Sequence, residues 1–342
     1  MGTTLADVAA RASVSVATAS RALSGKPGVS ASTRLAVQQA SRVLDYQPSA
    51  VAASLRKRST GVLGLLVPDV TNPFFPAIMQ GLEREFAKHD KAVVLMDTEE
   101  RVEVEAARVE ALLRRRVDAL IVSPVHPTRS ADALRRAGRH VRVIQIDRRT
   151  LEDADFVGVD HAWAITKVIE HVHHSGARSA AFVGFVEGNL PIVERARAYS
   201  VACETYGIRC TPPIAVERAD LPSGRAVVRR ILADGSLPDA IICGNDLVAA
   251  GAITELREAG VSCPEDVLLT GYDDAAPIAE ILGLTTVRQP LSDLGREAAR
   301  LLRQKSEAPR TVMLTPAVIV RSTSARHLSG PRDDLSLVVG AR

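Results

Sequence analysis

Seven short runs of apolar residues recur along most of this chain, and they restrict its fold more than any other feature does. They read VLGLLVP (62–68), AVVLMD (92–97), DALIVSP (118–124), VRVIQID (141–147), SAAFVGF (179–185), DAIICG (239–244) and VLLTGYDD (267–274). None alternates apolar with polar residues. Strands of this kind are covered on both faces, as in a parallel sheet clothed by helices. Helix-period stretches separate them, near 73–88, 100–115, 130–138, 162–174, 193–206, 222–233 and up to Glu258. Such alternation specifies an α/β fold with doubly wound parallel sheets. The pattern restarts after Val157-Gly-Val-Asp160, so two similar lobes follow one another.

Open α/β sheets bind ligands beyond the carboxyl ends of their strands. Two facing lobes bring those ends to a common cleft. The residues at these ends are Asp69 with Asn72-Pro-Phe-Phe75, Ser123, Asp147-Arg148, Glu187 to Asn189, Asn245-Asp246 and Asp273-Asp274. Asn72 suits a helix N-cap and Pro73 a first helical residue, which sets Phe74 and Phe75 at the cleft mouth. Arg195 falls early on the first helix of the second lobe, and Gln289 lies near a crossover back. Carboxylates, amides, one guanidinium and an aromatic wall are the groups that bind a polyhydroxylated molecule. Of the adjacent pair Asp273-Asp274, only one side chain is expected to face the cleft.

The first sixty residues follow a different grammar. They carry eight Arg and Lys against Asp7 and Asp45, a surplus of six, whereas the whole chain is only +3. A basic head on a mildly acidic body implies a polyanionic partner. Thr3 or Thr4 can cap a helix with Leu5, Val8 and Ala9 on one face. Ser15 can cap a second from Val16 to about Leu23, with Ala19, Ala22 and Leu23 inward. Ser30 can cap a third, with Val37, Ala40 and Leu44 as its stripe. The turn Ala12-Ser13-Val14 is short enough to force the first two helices to cross, which makes a helix-turn-helix unit. The second helix is lean because its outer face enters a DNA major groove. Ser15, Val16, Ala17 and Thr18 stand at its start and Arg21 one turn on. Arginine takes guanine O6 and N7 together, and Val16 and Ala17 offer apolar contact to a thymine methyl. Thr4 and Ser30, at the starts of flanking helices, complete the DNA-facing set.

The run TLADVAARASVSVATASRALSGKPGVSASTRLAVQQASRVLDYQPSAVAASLR resembles the DNA-binding head of the lac repressor/gal repressor family of bacterial regulators. The resemblance continues to about residue 325. Ser13 departs from it, standing where the family has glycine; a left-handed residue there costs about 1 kcal/mol. Ala19 replaces a usual Val and Ser49 a usual Asn. By the resemblance, Pro48 to Arg56 is a hinge helix that orders when two subunits pair it in the minor groove. Leu55 is then the apolar wedge, with Ala52 beside it and Arg56 on the backbone. The body resembles a periplasmic-binding-protein-like effector domain, in which Asp69, Phe74, Asp147, Arg195, Asn245, Asp273 and Gln289 hold a small molecule. The family's aromatic after the strand near 216 is missing, since Ala219-Asp220-Leu221 stands there. This favours a sugar or polyol over a flat purine.

The resemblance therefore implies a head over residues 1–47, a hinge over 48–60, a body over 61–330 and a tail over 331–342. Lobe 1 takes about 61–160 and 291–318, and lobe 2 about 161–290 and 319–330. The implied protein is a homodimeric, effector-controlled repressor that binds a pseudo-palindromic double-stranded DNA operator. A coiled-coil tetramerisation tail is not indicated. Enzyme readings lack support: no Gly-rich phosphate loop, no GxSxG elbow and no metal-ligand spacing is present. His171, His173 and His174 sit at a helix end, where cationic groups favour the dipole. No cofactor is expected. Cys203, Cys210, Cys243 and Cys263 are scattered, as in a reduced cytoplasmic compartment. The absence of a signal peptide and of an apolar span argues against a periplasmic binding protein and against membrane insertion.

Overall fold

The computed structural model describes residues 3–46, 59–304, 306 and 308–326. Ser49, Ala52, Leu55 and Arg56 of the expected hinge helix lie outside the described residues, as does the tail after residue 326. The chain divides into two compact units, Met1–Gly61 and Val62–Arg342.

The first unit is a three-helix head with helices α1 (Leu5–Arg11), α2 (Val16–Leu23) and α3 (Ala31–Val43). Each start is fixed by a side-chain oxygen that accepts an otherwise orphaned backbone N–H. Thr4 forms a reciprocal capping box with Asp7. Ser15 accepts from the Thr18 amide at 3.1 Å, and Ser30 from the Thr33 amide at 3.1 Å. Thr3 has a different task, donating to the Leu44 carbonyl at 2.9 Å and so tying the start of α1 to the end of α3. Ser13 takes φ 54°, the left-handed conformation that lets α1 and α2 cross. The core is Val8, Ala9, Ala19, Ala22, Val37 and Ala40, all buried.

The second unit holds two parallel sheets. The first is built from β1 (Val62–Val67), β2 (Ala92–Asp97), β3 (Ala119–Val122), β4 (Arg142–Ile146), β5 (Asp155–Val159) and β12 (Thr311–Leu314). Its order is β12-β5-β4-β3-β1-β2. Helices α4 (Phe74–Ala87), α5 (Val102–Arg114), α6 (Ala131–Gly138) and α12 (Leu291–Arg303) cover its faces. The second sheet contains β6 (Ser179–Phe185), β7 (Arg209–Cys210), β8 (Ile214–Ala215), β9 (Ala240–Cys243) and β10 (Leu268–Thr270). Its order is β10-β9-β6-β7, with β8 also on β6. Helices α7 (His161–His174), α8 (Leu190–Thr205), α9 (Leu221–Ala233), α10 (Asp246–Glu258) and the short α11 (Ile278–Ile281) surround it. Strands β11 (Thr286–Arg288) and β13 (Ala317–Ile319) pair antiparallel where the chain passes between the lobes.

Two local features set the strand ends in place. Helices α9 and α10 pack at backbone contact: Gly224 faces the Val248 carbonyl and Gly251 the Leu221 carbonyl, with no room for a methyl at either. This close approach fixes where both helices begin at the cleft. At the start of α4 the cap falls on Pro73, which has no side-chain cap bond, one residue later than the sequence reading put it. The Asn72 side chain still accepts from the Phe74 amide at 3.1 Å. Among the described residues no helix is long and apolar enough to cross a membrane.

Candidate functional site

The carboxyl ends of the two sheets border a cleft of about 580 Å³. Asp69, Phe74, Asp147, Arg195, Asn245 and Asp273 all line it. Their roles within it differ, and some differ from the sequence reading.

Arg195 is the hub. It projects from α8, which follows β6 and is the second helix of its lobe, not the first. The residue is 5% exposed, and its guanidinium donates to the Gly244 carbonyl at 2.7 Å. One face lies on the Tyr272 ring, 3.6 Å from the centroid. Its Nε is 3.5 Å from His161 Nδ1, and the Tyr272 hydroxyl is 2.6 Å from the same nitrogen. A guanidinium only donates, so Nδ1 accepts and the ring proton sits on Nε2. His161 is therefore neutral. Burial lowers its pKa well below the ordinary value, and Arg195 lowers it further. Nothing in the sequence marks His161 or Tyr272 as members of this stack; only the tertiary fold joins residues 111 positions apart.

Two carboxylates face Arg195 from opposite lobes. Asp273 has φ 113° and sits 4.0 Å from Arg195 Nη2, and its Oδ1 accepts from Gln289 Nε2 at 2.6 Å. Asp147 has φ 65° and accepts from the Ser123 hydroxyl at 3.3 Å. Strained left-handed backbone at non-glycine residues concentrates at binding sites. Here it turns each carboxylate off its strand end toward the cleft. Burial raises the pKa of both acids; at Asp147 it is opposed first by Arg148, whose Nε is 3.8 Å away, and then by Arg195, and at Asp273 by Arg195.

Three expectations need correction. Gln289 does not line the cleft: it is 3% exposed and stands behind Asp273 as the donor that orients it. Asn245 lines the cleft, but its Oδ1 caps α10 through the Val248 amide at 2.8 Å, and its Nδ2 donates to the Ala219 carbonyl at 2.9 Å. Only one amide hydrogen is left for a ligand. Asp69 is largely engaged too, since Oδ1 accepts from the Thr71 amide and hydroxyl at 2.8 and 2.6 Å. Its other oxygen is 3.7 Å from Arg218 of the opposite lobe, so this carboxylate bridges the cleft mouth. Phe74 and Phe75 form an edge-to-face pair, centroids 4.9 Å apart, and both are nearly covered. The sequence reading missed the depth of the Arg148–Glu100 pair, a two-bond fork at 2.9 and 3.0 Å on the lobe 1 wall. Asp274 turns away from the cleft to Arg288 and Arg321.

In the head, Ser15, Val16, Ala17 and Arg21 are exposed on α2, with Thr18 half-buried beside Ser15. Thr4 and Ser30 are exposed at the starts of α1 and α3. The apolar Val16 is 49% exposed at the start of α2. Arg34, part of the basic surplus, is occupied internally: it donates to the carbonyls of Ala22 and Lys26 at 3.0 and 2.9 Å.

Residues 4–49 match the family model described as bacterial regulatory proteins, lacI family, and residues 169–324 that of a periplasmic binding protein-like domain. The ribose operon repressor of Halalkalibacterium halodurans is 33% identical over 310 residues, 89% of this chain and 91% of that protein. This chain belongs to the lacI family of bacterial regulatory proteins. It is a DNA-binding transcriptional regulator, and no enzyme. The fold matches a crystal structure of the lac repressor dimer bound to operator and the anti-inducer ONPF, with a TM-score of 0.86, 24% identity and coverage of 95% of this chain and 100% of that one. A lacI family regulator from Enterococcus faecium with bound ribose is 26% identical, with a TM-score of 0.67 over 77% of this chain and 98% of its own.

Proposed function

We propose that this lacI family regulator works as a cytoplasmic homodimer on a pseudo-palindromic operator, and that a sugar or polyol bound in the cleft sets its operator affinity. The observation that carries the ligand class is the meeting of Asp147, Asp273 and Arg195 from two lobes at one buried point. Two carboxylates accept from vicinal hydroxyls and one guanidinium donates to ring or hydroxyl oxygen, which suits a neutral polyhydroxylated ring. The phenyl rings that line the cleft, Phe74 and Phe75, come from lobe 1 only, and the facing loop contributes Arg218, Ala219 and Asp220. A flat heterocycle sandwiched between two rings is therefore disfavoured. The ribose bound by the Enterococcus faecium relative and the ribose operon named for the Halalkalibacterium halodurans relative support a pentose.

A ligand that touches both lobes favours the closed arrangement, and the operator affinity of the dimer follows by linkage. The DNA-facing group is the exposed start of α2 with Arg21, supported by Thr4 and Ser30 and by Ala52, Leu55 and Arg56 of the hinge. Effector contacts are assigned to Asp147, Arg195 and Asp273, with Asp69, Phe74 and Asn245 on the walls and Gln289 behind. Calorimetric titration of the full chain with D-ribose, other pentoses, hexoses and hypoxanthine tests the ligand class. Binding of a sugar that also shifts operator affinity supports the proposal. Binding of the purine alone overturns it.

A further inference from the structure

We infer that lobe 1 of the body carries a second DNA contact, a cluster of arginines at its strand-start edge that engages backbone phosphates flanking the operator. The inference rests on the reading of the head as the operator-binding unit.

The cluster is built by two neighbouring helices that end together. Helices α5 and α6 pack on the same face of the first sheet, with Val109 and Leu112 against Leu134 and Ala137. Both run toward the edge where the strands begin. Helix α5 closes on Arg114, Arg115 and Arg116, and α6 carries Arg135 and Arg136 before Arg139. All six are exposed. Across the strand starts Leu63, Ala119 and Arg142 are in register, so the two arginine-bearing turns are adjacent.

This edge is also where the chain arrives from the head. Strand β1 begins at Val62, directly after the first unit ends at Gly61. The Asp118 amide donates to the Val62 carbonyl at 2.7 Å, which fixes the Arg114–Arg116 turn against the entry point.

The charge is concentrated, and Arg135 and Arg136 are weakly compensated. The body as a whole is acidic, because the chain is +3 and its first sixty residues contribute a surplus of six. Arg135 reaches Asp132 only at 3.8 Å and Arg136 reaches Glu110 only at 3.7 Å, both pairs open to solvent. Among the described residues, no carboxylate lies within salt-bridge distance of Arg114 or Arg139. Basic residues in a last turn do favour the helix dipole, but that effect is confined to the turn and worth about 0.3–1 kcal/mol. Two helix ends account for part of this charge, and Arg139 stands beyond the last turn of α6. Like charges held together repel unless a polyanion neutralises them. Arginines rooted on adjacent helix ends suit phosphates, contacts that position a protein without reading sequence.

The test compares the full chain with Arg114→Ala/Arg135→Ala/Arg139→Ala, on a duplex of two half-sites obtained by selection and on the same duplex extended by one helical turn, about 10 bp, at each end. We expect wild type to bind the extended duplex more tightly and with a steeper salt dependence. The triple variant should match wild type on the short duplex and lose the gain from the flanks. Its log–log salt slope on the extended duplex should fall by about 0.9 for each phosphate contact removed. Equal melting temperatures of the two proteins exclude misfolding. No gain from the flanks in wild type, or a full gain in the variant, overturns the inference. Equal weakening of the variant on both duplexes also overturns it, since the cluster would then not act through the flanks. Failure of wild type on either duplex refutes the head reading instead, and this inference falls with it.

Discussion

Arg195 and Tyr272 form a buried stack, with the guanidinium carbon 3.6 Å from the ring centroid, and this stack places the lobe 2 cation that Asp147 and Asp273 both face. The ring pins one face of the guanidinium, and the Gly244 carbonyl pins one edge. What remains points into the cleft. Removing one partner of such a buried charged set costs far more than its net contribution, because the others stay desolvated. Arg195→Ala is therefore expected to destabilise the body by roughly 3–5 kcal/mol and to abolish the effector response. Arg195→Lys should recover part of the stability and little of the response, since an ammonium lacks the planar fork. Chemical denaturation paired with operator titration separates the two effects.

At Asp273 the backbone decides which substitution is informative. With φ at 113°, alanine is strained where asparagine is better tolerated. Both Asp273→Ala and Asp273→Asn should leave effector-free operator binding intact and remove the effector response. The alanine variant should also melt lower, because Gln289 Nε2 loses its acceptor. A normal response in the asparagine variant would show that Asp273 does not hold the ligand.

The pH dependence of stability should fall into two windows. Asp246 is 1% exposed and accepts from the Thr286 hydroxyl at 2.6 Å and the Ala275 amide at 2.7 Å. Burial first, and then the nearby Asp273 carboxylate, raises its pKa, and burial raises that of Asp273 as well. The folded state thus keeps protons that the unfolded chain releases above 3.8, so these two acids make the body less stable as pH rises from there through neutrality. Asp155 and Asp239 act in the opposite sense. Both have lowered pKa values despite burial, through Arg310 and Arg142 for Asp155 and through the Arg178 and Ser179 groups for Asp239. Their contribution is present above 3.8 and is lost as pH falls below it. Melting curves should show a maximum in the mildly acidic range, and Asp246→Asn should flatten the alkaline limb without changing the acid limb.

In the head, Ser13→Gly is expected to stabilise the three-helix unit by about 1 kcal/mol, by relieving a left-handed side chain. Slower hydrogen exchange of the Val8 and Ala19 amides in the full chain measures it. An unchanged or faster exchange means the glycine's extra freedom in the unfolded chain offsets the relief.

Arg21→Ala should lower discrimination between operator and mutated half-sites by roughly 1–3 kcal/mol per half-site, with little change on unrelated duplex DNA. Competition titrations at one salt concentration decide it. A uniform loss on all duplexes would mean Arg21 contacts phosphate and not a base edge.

Much of this protein was determined by the sequence alone, because its rules are local. Unbroken apolar runs specify parallel strands, and Thr4, Ser15 and Ser30 start their helices through bonds that span only three residues. The strand-end rule likewise nominated Asp147 and Asp273, and an early helical position nominated Arg195, without any knowledge of distance. The tertiary structure decided what those side chains still have free. Asn245 was legible as a polar strand-end residue, yet its oxygen accepts from the Val248 amide and one of its two amide hydrogens goes to Ala219, 26 positions away. Gln289 looked like a ligand contact and became a support for Asp273, because β11 enters behind the cleft floor. His161 and Tyr272 gave no signal, since their meeting depends on how α7 packs against the end of β10. A side chain's hydrogen-bonding capacity is local, but its partners are set by chain segments far apart in sequence, and that allocation exists only once both lobes are folded.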